Sequence, residues 1–272
     1  MAMQETVYPL PITANRRAVR YSANGQQRID DVVATEYALT IYVNNDEMAT
    51  IVCTPSDLED LVVGFLASEG VIRDIAQLED LSIVASRGVA RARITGHHNF
   101  NQSFYNKRYI ASCCGKSRQS FYFYNDAHTA KTAEDDGVRF HPTEIIEFME
   151  QLENASTTFR ETGGVHSAGI CSQNDGLMEY KSDIGRHNAL DKLYGSMLRH
   201  QSTRLGSAIA FTGRLSSEVL LKAAKIGVGL IAAKSAPTAL ALDMANELNI
   251  TAIGFARQDE FSVYTHPWRV TP

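Results

Sequence analysis

The sequence is short of the features that would place it in several large classes. Only four cysteines, Cys53, Cys113, Cys114 and Cys171, occur in 272 residues, too few and too unevenly spaced for the disulfide framework of a small secreted domain. The opening residues, Met-Ala-Met-Gln-Glu-Thr-Val-Tyr-Pro, lack a basic stretch followed by an apolar one, so free thiols in a reducing cytoplasm are expected. No uncharged apolar run reaches the roughly 18–20 residues that span a bilayer. A formal charge of -5 argues against nucleic acid or anionic lipid as a partner of the whole surface; any basic site must be local. Motifs are missing too. There is no G-x-G-x-x-G after a strand and no G-x-x-x-x-G-K-[ST], which removes the common nucleotide-binding loops. The eight histidines never form H-E-x-x-H, no second C-x-x-C accompanies Cys113-Cys114, and the H-x-E and P-C-x-x-C pair of zinc nucleobase deaminases is absent. No metal-ligand set is expected.

One local deficit is informative. From Asn99 to Asn125 there is no Asp or Glu, while Lys107, Arg108, Lys116 and Arg118 all fall there, around Ser112-Cys113-Cys114-Gly115-Lys116-Ser117-Arg118. A cationic neighbourhood favours the thiolate, which is what turns a cysteine into a nucleophile. Gly115 permits a tight turn that offers N–H groups to an anionic sulfur. The plainer reading, two small apolar residues in a loop, fits poorly with a setting of Lys, Arg, Ser and Gln. Cys53, at a strand end against a helix, reads as a core residue.

The rest of the chain sorts into two unlike halves. Residues 1–17 carry two prolines and no periodicity and read as a flexible leader. Residues 18–140 read as an N-terminal domain: a hairpin (37–43 and 49–53), a helix with Thr54 as N-cap and Pro55 at its first position, and a second hairpin (81–85 and 89–94) whose Arg91 and Arg93 are solvated strand charges. The stretch 96–111 reads as a loop leading to the cysteines. Residues 141–272 read as an α/β domain, with a helix from Pro142, a hairpin around Asn174-Asp175-Gly176, and then alternating helices and strands. The runs 207–211 and 228–233 are continuously apolar, as strands covered on both faces should be.

Polar residues gather where the strands of this second half end, the place where ligands enter open α/β sheets. Arg186 and His187 lie in the first turn of a helix, where a cation opposes the helix dipole. Either a bound anion or a salt bridge to Asp183 or Asp191 would compensate it. Arg214 follows the next strand and is a ligand candidate, whereas Glu218 and Lys222 read as an i,i+4 surface pair. His166, in Gly163-Gly164-Val165-His166-Ser167, reads as either a satisfied core group or a site residue. Pro237 reads as the first position of the third helix, and Arg257 ends the last long strand.

Taken together, these segments resemble the FdhD family of formate dehydrogenase accessory sulfurtransferases. The resemblance is carried by Ser112-Cys-Cys-Gly-Lys116, Thr162-Gly-Gly-Val-His-Ser-Ala168, Asp183-Ile-Gly-Arg-His-Asn-Ala-Leu-Asp-Lys192, Thr212-Gly-Arg-Leu-Ser-Ser-Glu218, Ser235-Ala-Pro237 and Val263-Tyr-Thr-His-Pro267. It implies an α/β fold whose C-terminal domain is a cytidine-deaminase-like three-layer unit without the deaminase zinc. It implies a cytoplasmic homodimer that accepts sulfane sulfur from a cysteine desulfurase as a cysteine persulfide. The sulfur then passes to the molybdenum, or tungsten, bis(molybdopterin guanine dinucleotide) cofactor, bound as substrate, for the formate dehydrogenase catalytic subunit. The alternative is a non-catalytic chaperone that delivers this cofactor to the apo-dehydrogenase. Some members carry C-G-x-C, and aligning its first Cys-Gly with Cys114-Gly115 puts Ser117 at the second cysteine. Cys114 is then the persulfide carrier and Cys113 its helper or resolving thiol. The cofactor-binding segment corresponds to Phe255, Ala256, Arg257, Gln258, Asp259 and Glu260, joined by Arg186, His187, Arg214 and His166. Where many relatives have Gly and a second Arg after Arg257, this chain reads Gln258-Asp259-Glu260.

Overall fold

The computed structural model describes residues 10–95, 108–110, 132–133, 136–202 and 206–272. In the first half, β3 (Tyr37–Val43) and β4 (Asp46–Cys53) form the expected hairpin. Its turn holds Asn44 and Asn45 at φ of 47° and 76°, a left-handed backbone that asparagine tolerates and that matches the twist of the strands. With β5 (Leu78–Val84), β6 (Val89–Ile94) and β7 (Arg108–Ile110) it makes a five-stranded sheet in the order β5-β6-β3-β4-β7. The loop expected over 96–111 therefore contains a strand, parallel to β4 with Ile110 opposite Ile51. Three residues are too few to show an alternation.

The leader reading fails from Thr13 onward. β1 (Thr13–Ser22) pairs along its whole length with β2 (Gly25–Ala34). Both faces of this two-stranded ribbon are largely exposed, so no apolar period marks it in the sequence.

The helix after β4 also starts later than its capping signal. α1 spans Leu58–Ser68 and is preceded by Asp57 at φ 49°. Thr54 is engaged elsewhere: its N–H donates to Asp183 Oδ2 at 2.9 Å, and its hydroxyl accepts from the Ile184 N–H at 3.0 Å. A tertiary partner overrides the local cap.

The second half contains α2 (Pro142–Ala155), α3 (Thr157–Thr162), β8 (His166–Ser172), β9 (Gly176–Asp183), α4 (Arg186–Arg199), β10 (Ser207–Phe211), α5 (Ser217–Ile226), β11 (Leu230–Ala233), α6 (Ala239–Glu247), β12 (Thr251–Arg257) and β13 (Glu260–Val263). The sheet order is β13-β12-β11-β10-β8-β9, with β10, β11 and β12 parallel and the remaining pairings antiparallel. Ser216 and Thr238 cap α5 and α6 through their hydroxyls, so Pro237 sits just outside α6 rather than at its first position. Neighbouring residues of β10 part company. Ala208 and Ala210 join Phe148, Met149 and Leu152 of α2, while Ile209 and Phe211 join Leu190 and Leu193 of α4. Helices cover both faces, which gives the expected three-layer α/β arrangement.

A single apolar cluster runs from Leu39, Ile41 and Ile51 of the first sheet through Leu61 and Leu66 of α1 to α4 and the second sheet. The sequence boundary at residue 140 thus separates two sheets, not two cores. At the crossing of α1 and α4 the backbones nearly touch. A Cβ on Gly64 would lie 1.7 Å from the Asp191 carbonyl oxygen, and one on Gly195 would lie 1.9 Å from that of Asp60.

Candidate functional site

One end of the second sheet collects the predicted residues. β8 begins at His166, directly opposite Asp183 at the end of β9; α4 starts three residues later. Thr212-Gly213-Arg214 follows β10, Ser235-Ala236-Pro237 follows β11 closely, and Phe255–Arg257 closes β12. Hydrogen bonds join these loops into one rim. Thr212 Oγ1 accepts from the Ser167 N–H (2.9 Å), Ser235 Oγ donates to the Thr212 carbonyl (3.2 Å), and the Phe255 N–H donates to the Ser235 carbonyl (3.3 Å).

Beneath the rim lies a set of buried charges. Asp183, with no exposure at all, accepts from Thr54 N–H, from Gly185 N–H and Asn188 Nδ2 (both 2.8 Å), and pairs with the fully buried Lys192 at 2.7 Å. Lys192 donates also to the carbonyls of Thr54 and Ser182. This carboxylate therefore fixes the first turn of α4 and staples it to the segment that follows β4. Asp191 is likewise occupied, with Lys222 Nζ at 2.5 Å and the Ser68 hydroxyl at 2.6 Å. Burial pushes its carboxyl above the usual range, against the pull of Lys222 and Ser68. Lys222 is consequently not half of an i,i+4 surface pair; it is buried and neutralises a carboxylate on the neighbouring helix.

These pairings settle the position of Arg186. Both carboxylates expected to compensate it belong to lysines, and its buried Nε has no hydrogen-bond partner. His187 stands beside it with Nδ1 buried, 3.6 Å from Glu218 Oε1 and too far for a hydrogen bond. Burial first, then Lys222, Arg186 and His166, hold its pKa well below the usual 6.5, so the ring is neutral. His166, half-buried, is lowered by burial and by Arg186 and Arg214, with Asp183 opposing. His166, Arg186, His187 and Arg214 thus share one electrostatic environment.

The segment 255–260 is built by a bulge. Register shifts between Gly254 and Arg257, Phe255 and Gln258 adopt φ of 55° and 56°, and Arg257 pairs with Glu260 across a two-residue turn. Gln258 and Asp259 are the turn itself, which accounts for their polar identity. Phe255 is left exposed on the rim, Arg257, Gln258, Asp259 and Glu260 are exposed, and Ala256 is buried in the α2-side core. Left-handed backbone at a bulky residue such as Phe255 is strained and concentrates at ligand sites.

Cys113 and Cys114 lie outside the described residues. The two cysteines that are described, Cys53 and Cys171, are buried with thiols pushed up to about 12, which fits core residues and not nucleophiles. Among the described residues no three His, Cys, Asp or Glu side chains converge on a metal position, and no helix is long and apolar enough to cross a membrane. Sequence reading missed Thr54, Asp183, Lys192 and Asp191 as the frame of the site. Asn188, Asp191 and Lys192 recur at helical spacing on α4, and three polar residues on one buried face were the available signal.

The FdhD/NarQ family model matches residues 34–271. The chain belongs to the FdhD/NarQ family. Sulfur carrier protein FdhD of Geobacillus kaustophilus is 50% identical over 258 residues, covering 94% of this chain and 97% of that protein. Its namesake in Listeria innocua is 46% identical over 262 residues, covering 96% and 100%. A crystal structure described as a formate dehydrogenase accessory protein, from Desulfotalea psychrophila, superposes with a TM-score of 0.78 at 26% identity, covering 96% of this chain and 100% of that one.

Proposed function

We propose that this chain is a sulfurtransferase of formate dehydrogenase maturation, carrying sulfur on Cys114 and binding its acceptor, the molybdenum or tungsten guanine-dinucleotide cofactor, as substrate at the rim of the second sheet. The observation that carries the reading is Arg186: its buried Nε has no hydrogen-bond partner, while Asp183 and Asp191, the two carboxylates expected to compensate it, are held by lysines. Such a cation beside Arg214 and a helix start suits the phosphates of a large anion. The names of the 46–50% identical relatives support the sulfur chemistry.

In this reading the Cys114 thiolate attacks the terminal sulfur of a persulfide on the donor, a cysteine desulfurase. The donor cysteine leaves as a thiolate, and Cys114 holds the sulfur as Cys–S–S⁻. Cys113 is the helper thiol. Chain reach supports delivery to the rim: β7 runs parallel to β4, Ile110 neighbours Ile51, and β4 leads directly to Thr54 at Asp183. The four residues from Ile110 to Cys114 span at most about 14 Å. The protein works in the cytoplasm as a homodimer, whose mass light scattering checks, and serves the formate dehydrogenase catalytic subunit.

Intact-protein mass spectrometry after incubation with a cysteine desulfurase and cysteine tests this reading. Wild type and Cys113→Ala should gain one reducible sulfur atom, and Cys114→Ala none. No gain in wild type with an active donor would overturn the reading in favour of a non-catalytic cofactor chaperone.

A further inference from the structure

The β1–β2 ribbon is largely exposed on both faces. Each strand is ten residues long, about 33 Å of extended backbone. Contact with the rest of the described residues is concentrated at the base, where β2 packs on α3 and a Cβ on Gly164 would come within 3.2 Å of Ala34. A two-stranded hairpin is marginally stable alone in water and becomes secure when another surface covers it. The charges divide along its length. Near the base Arg16 lies opposite Asp31 and Arg17 opposite Asp30. Toward the tip, from Ala18 to Ile29, there is no Asp or Glu, and Arg20 and Arg28 face Gln27 and Val19. Because side chains alternate across a strand, Val19, Tyr21 and Arg28 share one face. Val19 is 48% and Tyr21 75% exposed. An exposed tyrosine beside an arginine with no carboxylate opposite it is the composition of a contact hot spot. The matching surface is on α2. Its buried side carries Ile145, Phe148, Met149 and Leu152, while Glu147, Glu150 and Asn154 recur at i, i+3 and i+7 on the exposed side. Glu144 is engaged by the His141 N–H and Gln173, and Glu153 by Lys234, whereas Glu147 and Glu150 have no ion pair among the described residues.

We propose that the β1–β2 ribbon is an arm that holds a second copy of this chain, its Val19, Tyr21 and Arg28 face laid on the exposed acidic side of α2 in that copy. The proposal rests on the homodimer reading above and names the contact that makes it. Charge selects the match, since the cationic tip belongs to a chain of net charge -5 and finds unpaired carboxylates on α2. Position allows it. α2 passes through Ser156 directly into α3, on which the ribbon is anchored, so arm and acceptor belong to one side of the chain. A two-fold contact requires this, because each copy gives and receives with the same patch. The area also suffices. One ribbon face, about 33 Å by about 10 Å, covers about 300 Å², and with both surfaces and both reciprocal arms counted the contact reaches about 1,200 Å², the lower bound of a stable interface.

The test is the mass of the full chain in solution, by light scattering and sedimentation equilibrium, for wild type and two charge-reversed chains. One carries Arg20→Glu with Arg28→Glu in the arm; the other carries Glu147→Lys with Glu150→Lys on α2. All four positions are exposed, so both chains should fold with the wild-type melting temperature. Alone, each reversed chain meets like charge at both reciprocal contacts, and its dimer dissociation constant should rise at least about tenfold. Mixed, the two chains restore opposite charges at both contacts, so a heterodimer should form with close to wild-type affinity, identified by a mass tag on one chain. Wild-type chains that stay monomeric would overturn both the arm and the homodimer reading. A dimer that neither reversal weakens, or reversed chains that dissociate and do not recover on mixing, would overturn the arm and leave the homodimer in place. Loss of binding to the formate dehydrogenase catalytic subunit in the arm variant, with its dimer intact, would assign the ribbon to that protein instead.

Discussion

Substituting Asp183 by Asn tests the frame of the site most directly. The change is nearly isosteric, so it removes charge and acceptor capacity without opening a cavity. In the wild type four donors converge on two oxygens, from Thr54, Gly185, Asn188 and Lys192, at 2.7–2.9 Å. Asparagine keeps one acceptor oxygen and turns an NH₂ toward the donors of the other. Lys192, with no exposed surface, then holds an uncompensated ammonium. Breaking a buried pair from one side costs about 3–5 kcal/mol, against a typical total stability of about 5–15 kcal/mol. Asp183→Asn should therefore lose at least about a fifth of its stability in urea denaturation. Replacing both partners, as in Asp183→Asn with Lys192→Met, should cost less than the sum of the single changes, since no unpaired charge remains. A single-variant loss below about 1 kcal/mol, the value of an exposed ion pair, would refute the description of Asp183 as the joint between the two sheets.

Other expectations follow from the same packing. Gly64→Ala would place a methyl 1.7 Å from the Asp191 carbonyl oxygen. Two helix backbones cannot yield as a flexible side chain does, so the loss should exceed the usual overpacking cost of about 1–3 kcal/mol and lower the melting temperature by well over about 4 °C; an unchanged melt would mean that the helices do not cross there. Stability should also depend on pH through His187. Its folded pKa lies below its unfolded one, so its neutral form contributes fully above about pH 6.5, and this contribution is lost as pH falls from there toward the folded value. His187→Gln should flatten the denaturation midpoint over that interval, and an equally steep dependence in the variant would assign it to other groups.

The sequence announced most of the second half because its signals are local. Alternating apolar runs and the Asn174-Asp175-Gly176 turn are each decided within a few residues. The strand-end positions of Arg186, Arg214 and Arg257 followed from that pattern alone. What escaped depends on distant partners. Thr54 looks like a cap until Asp183 is brought to it, Lys222 looks like a surface pair until Asp191 is, and the β1–β2 ribbon buries too little to leave a pattern. Sequence showed which cations lay near the site; that the Arg186 Nε lacks a partner became visible only with Asp183 and Asp191 placed against their lysines.

The glycine crossing of α1 and α4 also has a consequence during synthesis. α1 is nearly surrounded by protein, yet the helix it packs against begins at Arg186, more than a hundred residues later. At about 5–20 residues per second, the ribosome needs roughly 6–25 s to supply it. Over that interval the first sheet and α1 present an apolar face to the cytosol or to a chaperone, since a contact of such sequence separation cannot form early. Limited proteolysis of ribosome-bound chains stalled before and after α4 reads this directly: protection of Leu58–Ser68 should arrive only with the longer chain.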